Sequence, residues 1–141
     1  MKKVDPYVRD IIRDIGYVLL LPTLVLFVQI GRELVWPFAF HLDTVAHFCG
    51  GFSIAFAATQ VYNALRRRKM IESLSLPMFA YLLLGTVGLA GIFWEFLEFI
   101  LLNDIFQKIQ INLYLDTLSD LSMDLLGGIA WIIAVGFRKK V

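Results

Sequence analysis

Apolar side chains run through this chain in four long stretches, at about residues 16–36, 43–65, 77–102 and 118–137, with short polar segments between them. A helix needs about 20 residues to cross a hydrocarbon core of roughly 30 Å, and each stretch is long enough. The pattern predicts an all-α integral membrane protein, a bundle of four transmembrane helices. Ahead of the first stretch, residues 5–14 (DPYVRDIIRD) interleave polar and apolar positions. They predict a short N-terminal amphipathic helix at the interface, or equally a solvated extension of helix one.

Composition agrees. The 141 residues suit one membrane domain, residues 1–141, and 59% of them are hydrophobic. Soluble domains sit nearer half. A net charge of +1 and the lack of a basic patch with interleaved aromatics give no sign of nucleic-acid binding. The basic residues mark helix ends: Lys2, Lys3, Arg9 and Arg13 before the first stretch, Arg66 to Lys69 between the second and third, and Arg138 to Lys140 at the end. Positive charge stays on the cytoplasmic side, so both termini and the 66–76 loop are expected there, in a multi-pass protein of the plasma membrane. The 103–115 loop is then extracytoplasmic and the longest. The first stretch is too long for a signal-peptide core, and its end is a poor cleavage site, so no cleavable signal is expected. Cys49 is the only cysteine, so no internal disulfide can form.

The apolar stretches are interrupted by acids, which changes the picture. Each ionisable group costs a few kcal/mol at a bilayer centre. Yet the second stretch opens with Asp43-Thr-Val-Ala-His47, the third holds Trp94-Glu95-Phe-Leu-Glu98, and the fourth opens with Asp116-Thr-Leu-Ser-Asp120-Leu-Ser-Met-Asp124. The spacings are i, i+4 for Asp43 and His47, i, i+3 for Glu95 and Glu98, and i, i+4, i+8 for the three aspartates. Each set therefore shares one helix face. Depth sharpens this. Counted from the cytoplasmic helix ends at about 1.5 Å per residue, His47, Glu95 and Asp120 all lie roughly 27–28 Å out. Asp43, Glu98 and Asp116 lie about one turn further out, and Asp124 about one turn deeper. Gly50, Gly51, Gly88, Gly91, Gly127 and Gly128 continue the same faces. Small residues let membrane helices approach closely, so the acids should point into the bundle.

Six carboxylates held together cannot all stay ionised without cations. They share protons or they hold metal. One imidazole with carboxylates from three helices suits a divalent ion such as Mg²⁺, Mn²⁺, Fe²⁺ or Zn²⁺. Helix bundles build carboxylate metal sites from facing helices in this way. The candidate ligands are His47, Glu95, Asp120, Glu98, Asp124, Asp43 and Asp116, with Glu98 and Asp124 also candidates for a general base. Arg32, near the outer end of helix one, is a candidate for holding an anionic head group over the metal. The plain alternative is that Arg32 snorkels or pairs with Glu33. Asp43 and Asp116 also have a plain reading as helix caps. For the cluster as a whole, the plain reading is a buried polar network that fixes helix packing. Trp36, Trp94 and Trp131 read as anchors or packing, and His41, Asp104 and Lys108 as interfacial or solvated.

The run Asp43-Thr-Val-Ala-His47-Phe-Cys-Gly-Gly51-Phe52, followed by Trp94-Glu95-Phe-Leu-Glu98 and then Asp116 to Gly128, resembles the YjdF-like small bacterial and archaeal membrane proteins. It is similar, more loosely, to VanZ-like proteins. The resemblance covers residues 43–128 and implies the same order of an Asp-x-x-x-His-Phe helix, an acidic helix and an Asp-rich helix ending in glycine. VanZ-like proteins are associated with glycopeptide resistance. The chain departs from the YjdF-like pattern before Asp116, where Asn-Leu-Tyr-Leu-Asp-Thr-Leu stands in place of a Gly-Asp-x-Trp-Asp-Thr-Gln stretch.

The leading expectation is a metal-dependent membrane enzyme of hydrolase or phosphatase type. It would act on a lipid or lipid-linked substrate at the extracytoplasmic leaflet. Two other readings remain open: a cation or proton transporter or channel subunit, for which a homo-oligomer would have to supply the path, and a non-catalytic scaffold with a structural metal.

Overall fold

The structure, a computed structural model, describes the backbone of residues 6–35, 40–109 and 113–138, and the side chains of residues 16, 18–31, 42–100 and 114–136. Among these residues the chain is all-helical, with four helices: α1 (Pro6–Val35), α2 (Phe40–Arg67), α3 (Leu76–Ile109) and α4 (Leu113–Arg138). By length and apolarity, the stretches Leu76–Ile100 of α3 and Tyr114–Gly136 of α4 can cross a membrane, while the apolar stretch of α1, Val18–Gly31, is shorter. α2 is as long as these but is diluted by the polar and glycine residues of its inner face.

Two expected boundaries are corrected. Of the two readings of residues 5–14, the separate amphipathic helix is not formed and the extension of helix one is: α1 is one helix from Pro6 onward. Only Gly16 lies at the junction, and one glycine costs a helix about 1 kcal/mol, too little to break it. The long outer loop at 103–115 is also largely helix, because α3 runs on to Ile109 and α4 begins at Leu113. No glycine or proline stands between Gly91 and Gly127 to stop either helix. Inside α1, Pro22 has no N–H to give the carbonyl of Val18 and weakens the helix at that turn.

α2 is the centre of the bundle. It packs on α1, α3 and α4, most extensively on α4, whereas α1 meets neither α3 nor α4 among the described residues. The α2–α4 crossing is a contact of backbones. A Cβ on Gly51 would land on the carbonyl oxygen of Asp124, with its carbonyl carbon at 2.6 Å. A Cβ on Gly127 would land on the carbonyl oxygen of Phe48 and lie 2.7 Å from the nitrogen of Phe52. Only hydrogen fits at either point. Gly128 seats Val87 of α3 in the same manner, at 3.2 Å.

Away from the crossing, the packing is aromatic. Trp131 meets Phe52 and Phe56 edge to face at 5.2 and 5.1 Å, and its Nε1–H donates to Thr59 Oγ1 at 2.8 Å. Tyr62, Phe79 and Leu83 form the buried apolar cluster beyond it. Trp131 is thus a packing residue. The hydroxyls of Thr59, Thr86 and Ser122 donate to carbonyls one turn back, at Ala55, Leu82 and Leu118. A hydroxyl with no water nearby is satisfied in this way.

The outside is apolar. Leu20, Phe27, Leu89, Phe93 and Ile100 are all more than 60% exposed, while the buried set is rich in polar groups, from Gln29 to Asp124. A soluble domain sorts its residues the other way.

α2 ends in a Schellman turn. Met70 N donates to Leu65 O at 3.1 Å and Lys69 N to Arg66 O at 2.9 Å. The turn forces Lys69 to φ 58°, a conformation that favours glycine. The next segment is pinned by Leu74 N donating to the Tyr62 hydroxyl at 2.8 Å.

Two outcomes follow for the protein unfolded in detergent. Gly51→Ala and Gly127→Ala each lower stability by at least about 1–3 kcal/mol, because backbone must move. Gly85→Ala, with open space at its Cβ, is neutral or slightly stabilising. Equal loss at all three positions would remove the crossing from the account. Lys69→Gly raises stability by about 1 kcal/mol, read as a higher unfolding midpoint.

Candidate functional site

The site is assembled at the end of the bundle where α2 and α4 begin. On α2, Asp43 lies in the first turn and His47 one turn on, and both face the other helices. α4 brings Asp120 and Asp124, one turn apart, to the same place, and α3 brings Glu98. All five are buried, His47 to 2% exposure. The α2–α4 crossing sets the register. Gly51 is one turn below His47, and the residue it touches is Asp124 itself. The close approach therefore carries the Asp124 carboxylate to the imidazole.

His47 is the hub. On one side, its Nδ1 lies 3.4 Å from Asp124 Oδ2, a hydrogen bond in which Nδ1–H donates. On the other, Nε2 faces Asp43 Oδ1 at 3.6 Å, Asp120 Oδ2 at 3.8 Å and the Gln29 amide nitrogen at 3.1 Å. With the proton on Nδ1, the Nε2 lone pair points into the carboxylates. A carboxylate behind a histidine fixes the tautomer in this way in many metal sites. Gln29 Nε2 also donates to Asp43 Oδ1 at 3.3 Å, and this amide ties α1 to the cluster.

Two sets of donors converge. Asp43, His47 and Asp120 offer ligand atoms within 4.8 Å of one another, and so do His47, Glu95 and Glu98. The two sets share His47. Glu95, half-buried, is hydrogen-bonded to Thr117 of α4, while its Oε1 is buried with no partner. The indole Nε1 of Trp94 is likewise buried without an acceptor. Among the residues whose side chains are described, Lys and Arg occur only at 66–69, at the far end of α2, and His47 is the basic group within the cluster.

The structure brings together Asp43, His47, Glu95, Glu98 and Asp120, with Asp124 behind the imidazole. Asp43 does more than cap α2, since it is buried and bonded to Gln29. Asp116 is half-buried in the first turn of α4, one turn above Asp120, and belongs to neither donor set. The side chains of Arg32, Glu33, Trp36, His41, Asp104 and Lys108 lie outside the described residues. Gln29 is the site residue that sequence reasoning did not single out. Its one signal was an amide alone among apolar neighbours.

Polar groups inside, large apolar groups outside and two helices of membrane-crossing length are the pattern of a helical bundle in a membrane. The chain belongs to a family described as predicted membrane proteins (DUF2238), whose family model matches residues 15–140. No curated protein and no solved structure matches it significantly.

Replacing Gln29 with Leu keeps the size and removes both donations. It costs about 1–3 kcal/mol, because Asp43 loses a buried donor. Hydrogen exchange should rise first in residues 22–31 of α1. A uniform rise along all helices would contradict the tie.

Proposed function

We propose that this is a four-span membrane protein, with its termini and the 66–76 loop in the cytoplasm, that binds a divalent metal ion and acts on a lipid or lipid-linked substrate at the extracytoplasmic leaflet. The reading rests chiefly on one observation. Buried carboxylates from three helices converge on a single imidazole, whose Nε2 faces Asp43 and Asp120. Membrane hydrogen bonds contribute under about 1–2 kcal/mol each, so packing alone is a weak reason to bury so many acids.

The donor set suits the ion. Carboxylate and imidazole ligands lie about 2.0–2.2 Å from Mg²⁺ or Zn²⁺, so donor atoms held within 4.8 Å of one another need only small adjustments. The partnerless Glu95 Oε1 is an acceptor that a cation would satisfy. In this reading Asp43, His47 and Asp120 are the ligands, and Glu95 and Glu98 complete or share the set. Asp124 holds His47 in the ligating tautomer and is a positioning residue. Glu98 is the carboxylate placed to take a proton from a water or substrate hydroxyl. A bound divalent ion would supply Lewis-acid polarisation of a phosphoryl or carbonyl oxygen, or a more acidic water. Arg32 stands at the outer end of α1, where an anionic head group would lie. The YjdF-like order of motifs along residues 43–128 fits a site carried by α2, α3 and α4 together.

The test is elemental analysis of the purified protein, with and without chelation. Wild type is expected to hold about one divalent ion per chain. Asp120→Asn and Glu95→Gln are each expected to lose it while remaining folded and monodisperse in detergent. Asp124→Asn should bind at least about 10-fold more weakly through the misoriented imidazole. Full metal content in both the Asp120 and Glu95 variants, or none in wild type, would sink the reading.

A further inference from the structure

α1 and α3 both flank α2, and among the described residues their backbones do not meet. Between them lies a cleft of about 320 Å³, open on one side to the exterior of the bundle. Its wall on α1 is Pro22, Val25 and Leu26, and its wall on α3 is Ala90, Phe93 and Leu97. These side chains are apolar. The ionisable and amide groups, Gln29, His47 and Asp124, lie at the innermost part, and further along the lining carries the hydroxyls of Thr23 and Ser53, Ser53 donating to Gly50 O at 2.9 Å.

The direction of the cleft matters. From Gln29 it runs back along α1 to Pro22, seven residues, or about 10 Å. On α2 it runs from His47 to Ile54, again seven residues. On both helices it leaves the cluster toward the middle of the bundle, away from the end where Asp43 and Asp116 lie. The cleft is therefore strongly polar at one end and apolar along most of its α1 and α3 walls, the shape of an amphiphile. Trp94, in the α3 wall, presents a buried N–H that no acceptor in the described bundle satisfies.

On the reading that this is a membrane-embedded site for lipid, we propose that the cleft admits one acyl chain of a membrane lipid. The chain passes sideways between α1 and α3, and the lipid's ester or phosphate oxygens lie at Trp94 and His47. The volume is at the low end of ligand sites, roughly 300–1,000 Å³, and fits one chain. A water-soluble substrate would not need an apolar wall open to the bilayer. The groove on the other face of α1, lined by Leu24, Val28, Leu42 and Val45, is a useful contrast: it has no acid and no histidine, and it is not part of this path.

The experiment uses the full chain in vesicles of phosphatidylglycerol doped with an analogue carrying a photoactivatable diazirine in mid-chain. After irradiation, the labelled residues are mapped by mass spectrometry. Labelling is expected to concentrate on Leu26, Phe93 and Leu97. It should fall at least 5-fold there in Ala90→Trp, which fills the cleft, and be unchanged in Leu89→Trp on the outer face of α3. Should Ala90→Trp fail to fold, Leu26→Trp blocks the cleft from the α1 side. Labelling spread evenly over exposed residues such as Tyr81, Leu89 and Phe96, and insensitive to the blocking variant, overturns the proposal. Metal content is measured on the same samples. Cleft labelling in a protein with no metal upholds the acyl-chain path and overturns the metal reading alone. Bound metal with even labelling does the reverse.

Discussion

The two missing Cβ atoms at Gly51 and Gly127 are what the rest of the molecule depends on. At these points the backbones of α2 and α4 touch, because nothing larger than hydrogen intervenes. That contact fixes both the distance and the register of the two helices. His47 sits one turn from Gly51, and Asp124 is the residue against which Gly51 packs. A helix pair held apart by ordinary side chains would leave the Asp124 carboxylate short of the imidazole. Van der Waals contact between backbones is a strong association force where lipid replaces water, since apolar side chains gain little by leaving lipid for protein.

The second constraint is the low-dielectric surrounding. Hydroxyls along the helices turn back to their own carbonyls, and Trp131 donates to Thr59, so these polar groups are accounted for. Thr59 is thereby committed to packing and offers no step in a polar path through the inner half of the bundle. The acids at the other end are a different case. Among the described residues their basic partner is one imidazole, and the Glu95 Oε1 carboxylate oxygen is buried without a partner.

Much of this was legible in the sequence, at particular residues. The four apolar stretches gave the helices, and the i, i+4 spacing of Asp43 with His47 and of Asp120 with Asp124 gave the inward faces. Counting depth placed His47, Glu95 and Asp120 at one level, and in the structure their side chains meet across three helices. The glycines after His47 and Asp124 marked the packing face, though not which glycine would meet which backbone; that depends on crossing geometry. The start of α1 was left open between a separate helix and an extension of helix one, and the end of α3 was hidden, because residues 103–109 have helix-compatible composition and looked like loop only for being polar. Gln29 was missed for a related reason. An amide in an apolar run has no sequence partner, and its partners, Asp43 and His47, lie 14 and 18 residues away on another helix.

Gln29 also gives α1 a thermodynamic connection to the site. Its amide approaches the same His47 nitrogen and the same Asp43 oxygen that a cation would use. On the metal-binding reading, a cation and the docked position of α1 would therefore compete for common atoms. Linkage makes that competition mutual: whatever binds at Nε2 weakens the hold of α2 on α1, and whatever draws α1 away raises affinity at Nε2 by the same factor. Among the described residues α1 packs on α2 alone, so on the metal-binding reading filling the cluster would loosen one of the ties that hold α1 in place.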